Sequence, residues 1–104
     1  KGEIIRDFTT GIRAQPLDSR TATYLDIPIK EGVIITSIAK NSPAENAKLE
    51  YGDIIIAVEN QKVSSLNEIL EVIEVNDIRP GDKIQLRIWR NGRYINKKLK
   101  LGKL

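Results

Sequence analysis

The chain has 104 residues, 40% of them apolar, which suits one domain with a single modest core. It contains no cysteine and no histidine. Within this chain that excludes disulfides, thiolate chemistry, the usual zinc ligands and the Ser-His-Asp triad. No run approaches the roughly 18 apolar residues of a membrane span, and the start lacks a signal-peptide pattern, so no membrane insertion is expected. Net charge is +3, with Arg87, Arg90, Arg93, Lys97, Lys98, Lys100 and Lys103 gathered towards the end. These mostly alternate with Leu and Ile, and only Trp89 and Tyr94 lie nearby to stack on bases. They read as a solvated strand face, and no nucleic-acid partner is expected.

In chain order, "IRAQPL" after Gly11 reads as a strand. "DSRTATYL" reads as a short helix capped by Asp18 or Ser19. "GVIITSIA", Gly32 to Ala39, is rich in β-branched residues and is expected to be a buried strand. In "NSPAENAKL", Ser42 is a good N-cap, Pro43 fits the first helical position and Glu45 sits three residues after the cap. "YGDIIIAVENQKV" gives a Gly-Asp turn, a strand over Ile54–Val58 and a polar reversal over Glu59–Lys62. "SSLNEILEVIEV" is the most helical segment, with Ser65 and Glu68 as a capping box and Leu66, Ile69, Leu70 and Ile73 on one face. "NDIRPGDK" ends it. "IQLRIW" alternates as a strand should, Asn91-Gly92 predicts a tight hairpin, and "YINKKLKL" returns as its partner. No repeat or linker divides the chain, so one α+β domain spanning 1–104 is expected, with five or six strands and two or three short helices.

Candidate chemistry is sparse. Asp53 and Asp82 each follow a glycine, where an aspartate accepts turn N–H bonds. No third acid or histidine stands at ligand spacing, so no metal site is expected. Ser37, Ser42, Ser64 and Ser65 lack an evident base partner, and two of them read as helix caps. No phosphate-binding glycine loop is present. The chain is therefore expected to be non-catalytic and to need no cofactor. What remains is geometry for binding peptide: an edge strand preceded by a glycine loop, beside an amphipathic helix. Loop N–H groups of that kind can hold a carboxylate.

The ordered set Gly32-Val33, Ser42-Pro43-Ala44, Ala47, Leu49, Gly52-Asp53-Ile54-Ile55, Asn60, then "RPGDKIQLRIWRNGR", resembles a bacterial PDZ domain. The likeness covers roughly Ile4 to Leu101. It is strongest to the PDZ domains that follow the protease domain in HtrA-type serine proteases. There the binding loop precedes the first strand and reads aromatic-hydrophobic-Gly-hydrophobic, often after an Arg. Arg6, Phe8, Gly11 and Ile12 fit that pattern, whereas Thr9-Thr10 departs from it, as does Lys48 where the family usually has Gly.

The resemblance implies a PDZ-like fold: a partly open antiparallel β barrel or sandwich of five or six strands, capped by short helices. It implies peptide contacts from Thr10, Gly11, Ile12, Arg13 and Ala14 on the loop and strand edge, and from Leu66, Leu70 and Ile73 on the helix. The expected partners are hydrophobic C-terminal or unfolded peptide segments and a parent protease domain, in a bacterial periplasm or envelope. Two rivals stand beside this reading. One is an interdomain or oligomerisation module that binds no free peptide. The other is a different parent, such as another protease or a secretion component.

Overall fold

The computed structural model describes residues 8–103. Arg6 and the other residues before Phe8 lie outside that range. The described residues form, in order, β1 (Phe8–Thr9), β2 (Ile12–Pro16), α1 (Ser19–Tyr24), β3 (Val33–Ile38), α2 (Pro43–Asn46), β4 (Ile54–Val58), β5 (Gln61–Lys62), α3 (Leu66–Val75), β6 (Lys83–Arg90), β7 (Arg93–Lys100) and β8 (Gly102–Lys103). Every pairing is antiparallel. One six-stranded sheet runs β2-β3-β4-β6-β7 with β5 paired to β4, and β1 pairs β8 apart from it. This is the open antiparallel, helix-capped architecture expected from the sequence.

Local chemistry sets the boundaries. Each helix starts at an oxygen that accepts an N–H three residues on: Asp18 from Thr21 at 2.6 Å, Ser42 from Glu45 at 3.2 Å and Ser65 from Glu68 at 3.2 Å. The return bonds differ from a capping box. Glu45 and Glu68 reach one residue further back, to the N–H groups of Asn41 (2.8 Å) and Ser64 (2.6 Å). All three helices end on a left-handed residue that is not glycine: Asp26 (φ 57°), Lys48 (φ 64°) and Asp77 (φ 53°). At each end two backbone bonds close a Schellman motif, as in Leu49 N–H to Ala44 C=O (3.1 Å) and Lys48 N–H to Glu45 C=O (2.9 Å). Aspartate tolerates this region, so Lys48 carries the larger cost, about 1 kcal/mol.

The sheet separates two apolar layers. Val33, Ile35, Ile55, Ile84, Leu86, Ile88 and Leu99 pack with Ile69, Val72 and Ile73 of α3 in the main core. On the opposite face Leu17, Ala22 and Ile54 form a smaller cluster under α1. Strand β4 therefore needs apolar residues on both faces, which accounts for its unbroken Ile54-Ile55-Ile56 run. Two details depart from the sequence reading. The polar reversal at 59–62 contains β5, formed because Glu59 (φ 51°) and Asn60 (φ 66°) make a tight two-residue turn. And β3 is buried only at its start, at Val33 and Ile35, with Thr36 and Ser37 exposed. The cause is a bulge: Arg13 pairs Ser37 and Ala14 pairs Ile35, so Thr36 is an extra residue on β3.

Candidate functional site

The segment before β2 is seated on the first turn of α2. The Ala44 N–H donates to the Thr10 C=O at 3.0 Å, and the Ala39 N–H donates to the Gly11 C=O at 2.9 Å. Ser42 ties the two contacts together, since its hydroxyl donates to the Ala39 C=O at 2.7 Å while capping α2. Gly11 is required here twice over. Its φ is +78°, and a Cβ would lie 2.2 Å from Ser42 Cβ. Among the described residues the Gly11 N–H has no acceptor. The Ile12 N–H has only a long 3.3 Å bond to Thr10 Oγ1.

Beyond the loop, β2 is the edge of the sheet. The Arg13 C=O accepts the Thr36 hydroxyl at 3.1 Å, and the Leu17 N–H donates to Gly32 C=O at 2.9 Å, so the odd-numbered residues face β3. Because the bulge is on β3, alternation along β2 is unbroken. The main-chain groups of Ile12 and Ala14 consequently face the open side. Pro16 shares that side, where its missing N–H ends the row of donors.

Facing this edge is α3, and between them lies a cavity of about 500 Å³. Its lining brings together seven of the eight residues singled out from the sequence: Thr10, Gly11, Ile12, Arg13, Leu66, Leu70 and Ile73. Ala14 does not line it; this residue is half-buried against the main core and offers only its main chain to the open edge. Ile73 is 1% exposed and belongs to the core as well as to the cavity floor. Leu70 is half-buried and Leu66 is exposed, so these two form the helix wall. Ser37, Ala39 and Asn67 on the rim, and Ile55, Ile84, Leu86 and Leu99 on the floor, also line it and were not singled out. Their contribution depends on pairings between strands far apart in the chain; strand alternation alone marks the floor residues as inward-facing.

Asp53 and Asp82 sit outside the cavity lining and are engaged. Asp53, 1% exposed, accepts Arg90 Nε at 2.8 Å and Arg90 NH2 at 2.7 Å, a bidentate pair, and also the Glu50 N–H at 2.9 Å. Arg90 NH2 donates further to the Lys48 C=O at 3.0 Å, which ties the strained end of α2 to β6. The hydrogen bonds it donates to Asp53 hold the Arg90 guanidinium still more firmly protonated, against the opposing effect of burial. Asp82 accepts the Arg79 N–H at 2.9 Å. Both Gly-Asp pairs thus act as turn acceptors, as their sequence position implies. The Thr21 N–H lowers the Asp18 pKa, and the Ser64 N–H and hydroxyl lower that of Glu68. Among the described residues no three metal-ligating side chains cluster, and no helix is long and apolar enough to cross a membrane.

Comparison with known proteins gives a consistent result. The PDZ domain family model matches residues 10–101. The chain is 35% identical over 94 residues to a probable periplasmic serine endoprotease DegP-like of Chlamydia trachomatis, covering 90% of this chain and 18% of that protein. It is 36% identical over 108 residues to the serine protease Do-like HtrA of Bacillus subtilis, covering 97% and 24% respectively. The chain thus spans about a fifth of the length of these curated relatives. Among solved structures, the HtrA3 PDZ domain bound to a phage-derived ligand, FGRWV, superposes with a TM-score of 0.78. That likeness is at 18% identity, covers 93% of this chain and 86% of the other, and bears on fold alone.

Proposed function

The chain belongs to the PDZ domain family, a non-catalytic module of HtrA-type proteases, and we propose that it binds the hydrophobic C-terminal end of an extended peptide by strand addition to β2. The observation that carries this reading is the juxtaposition of a strand edge unpaired among the described residues with an apolar cavity, at one end of which stands the Gly11 loop. A peptide antiparallel to β2 would exchange main-chain hydrogen bonds with Ile12 and Ala14. Its last side chain would enter the cavity between Ile12, Leu70 and Ile73. Its carboxylate would meet the Gly11 and Ile12 N–H groups, and the Thr10 hydroxyl would swing from the Ile12 N–H to donate to the same carboxylate. With one short strand and one pocket, affinity is on the order of micromolar, about −8 kcal/mol.

The relatives' names support a wider context, in which the domain serves a serine protease of a bacterial periplasm or envelope and tethers substrate or signal peptides near it. Titration calorimetry with a peptide ending in Ile, as the free acid and as the amide, tests the groove reading. Removing a carboxylate bound by several N–H and O–H donors costs about 1.5–3 kcal/mol, so the amide binds at least tenfold more weakly. Equal affinities would overturn carboxylate capture.

A further inference from the structure

One charged side chain stands on the rim of the cavity. Arg13 is exposed, and among the described residues it alone brings charge to the lining. The ion pairs of the described residues are Arg79–Asp77, Arg90–Glu50 and Arg90–Asp53, so no described carboxylate neutralises Arg13. Its position is fixed by the ladder to Ser37 and by the Thr36 hydroxyl on its C=O. These contacts fix the Arg13 backbone at the groove, and among the described residues no carboxylate takes up its charge.

Building on the peptide reading above, we infer that the groove prefers peptides whose penultimate residue is Asp or Glu, and that Arg13 sets this preference. The register follows from β2 alone. The Ile12 and Ala14 main-chain groups face the open edge, so an antiparallel peptide forms its hydrogen-bonded pairs with those two residues. The terminal residue, whose carboxylate takes the Ile12 N–H, lies opposite Ile12. The residue before it lies opposite Arg13, in a non-hydrogen-bonded pair where the two side chains approach most closely and leave the same face of the sheet. That face is the exposed one, since Arg13 is exposed while Ile12 and Ala14 are half-buried. A penultimate carboxylate therefore meets a cation, and a penultimate Lys or Arg meets a like charge. An exposed cross-strand pair of this kind shifts affinity about two- to fivefold in either direction, so acidic and basic peptides differ by about fivefold or more.

The test uses three peptides that end in Ile and differ only in a penultimate Glu, Gln or Lys, titrated by fluorescence anisotropy. The wild-type chain and Arg13→Glu, which keeps the main-chain groups, are compared through the ratio of the Glu and Lys dissociation constants. Wild type binds in the order Glu, Gln, Lys; Arg13→Glu reverses it. Both spreads shrink in about 1 M salt, where the screening length falls to about 3 Å. Equal binding of the Glu and Lys peptides by wild type, with the Gln peptide still bound, overturns the role of Arg13 and leaves the groove reading standing. An unchanged order in Arg13→Glu overturns it equally. No binding of any of the three removes both.

Discussion

Replacing Gly11 by alanine probes how the loop is seated, and its cost follows from two features of the structure. The first is the backbone: at φ +78° a residue with a Cβ loses about 1–2 kcal/mol relative to glycine. The second is space, because the new methyl would lie 2.2 Å from Ser42 Cβ and 2.3 Å from Ser42 Oγ. Ser42 is buried and fixed as the cap of α2, so it cannot move aside cheaply. The loop must lift instead, which strains the Ala44 N–H to Thr10 C=O and Ala39 N–H to Gly11 C=O bonds. A buried group left unpaired costs about 1–3 kcal/mol, so Gly11→Ala should destabilise the domain by about 2–5 kcal/mol and weaken peptide binding at least tenfold. Urea unfolding followed by the fluorescence of Trp89, the one tryptophan, measures the stability term. The decisive variant is Ser42→Gly, which removes the colliding atoms at a cap cost of a few tenths of a kcal/mol plus about 1 kcal/mol for the lost bond to the Ala39 C=O. In that background Gly11→Ala should cost only its backbone share, leaving a coupling of about 1–3 kcal/mol between the two sites. Additive effects within about 0.5 kcal/mol would refute the steric account.

Two further outcomes concern stability. Asp53→Ala strands a guanidinium that is largely enclosed, with side-chain exposure of 20% and, among the described residues, only Glu50 at 3.5 Å as a remaining carboxylate; a loss of about 3 kcal/mol in the same urea assay is expected, and a loss under about 1 kcal/mol would show that solvent already carries the pair. Glu68 has a folded-state pKa below its ordinary value, so its contribution is present above the unfolded pKa of about 4.3 and is lost as pH falls through the folded value. The midpoint of urea unfolding, followed from pH 7 to about pH 3, should therefore fall less steeply below about pH 4.3 in Glu68→Gln than in wild type; identical acid slopes would remove Glu68 from the account.

What could be read from the sequence was whatever is decided within a few residues. Asp18, Ser42 and Ser65 announce helix starts because each cap bonds an N–H three positions away. Asn91-Gly92 announces the β6–β7 hairpin because both residues must take positive φ, here 49° and 85°. Helix ends were less legible, since the left-handed positions that usually call for glycine are filled by Asp26, Lys48 and Asp77. Hidden altogether were features made by residues far apart. The Arg90–Asp53 pair joins positions 37 residues apart and supports Lys48 from a third segment. The Thr36 bulge depends on how β2 and β3 align, and it sets which residues of β3 reach the rim. The cavity itself joins the Gly11 loop to a helix more than fifty positions on. The family resemblance supplied that link where periodicity could not.

An exposed strand edge is a hazard as well as an opportunity, and the features that restrain β2 also shape what it can accept. The strand has five residues and ends in Pro16, which faces the open side without an N–H to donate, so a long ladder cannot grow. Arg13 and Gln15 turn polar groups outward, against stacking by an apolar sheet. The helix α3 lies across the remaining space, anchored in the core by Ile69, Val72 and Ile73. On the proposed reading one extended chain occupies the cavity of about 500 Å³ between them. On that reading the Gly11 loop, seated on α2, stands at the other end in the path of a continuing peptide. An internal segment would have to turn away at that point and would bring no carboxylate to the Ile12 N–H. A chain end is then preferred because the terminus-binding end of the groove is bounded by the loop that the same contacts hold against Ser42.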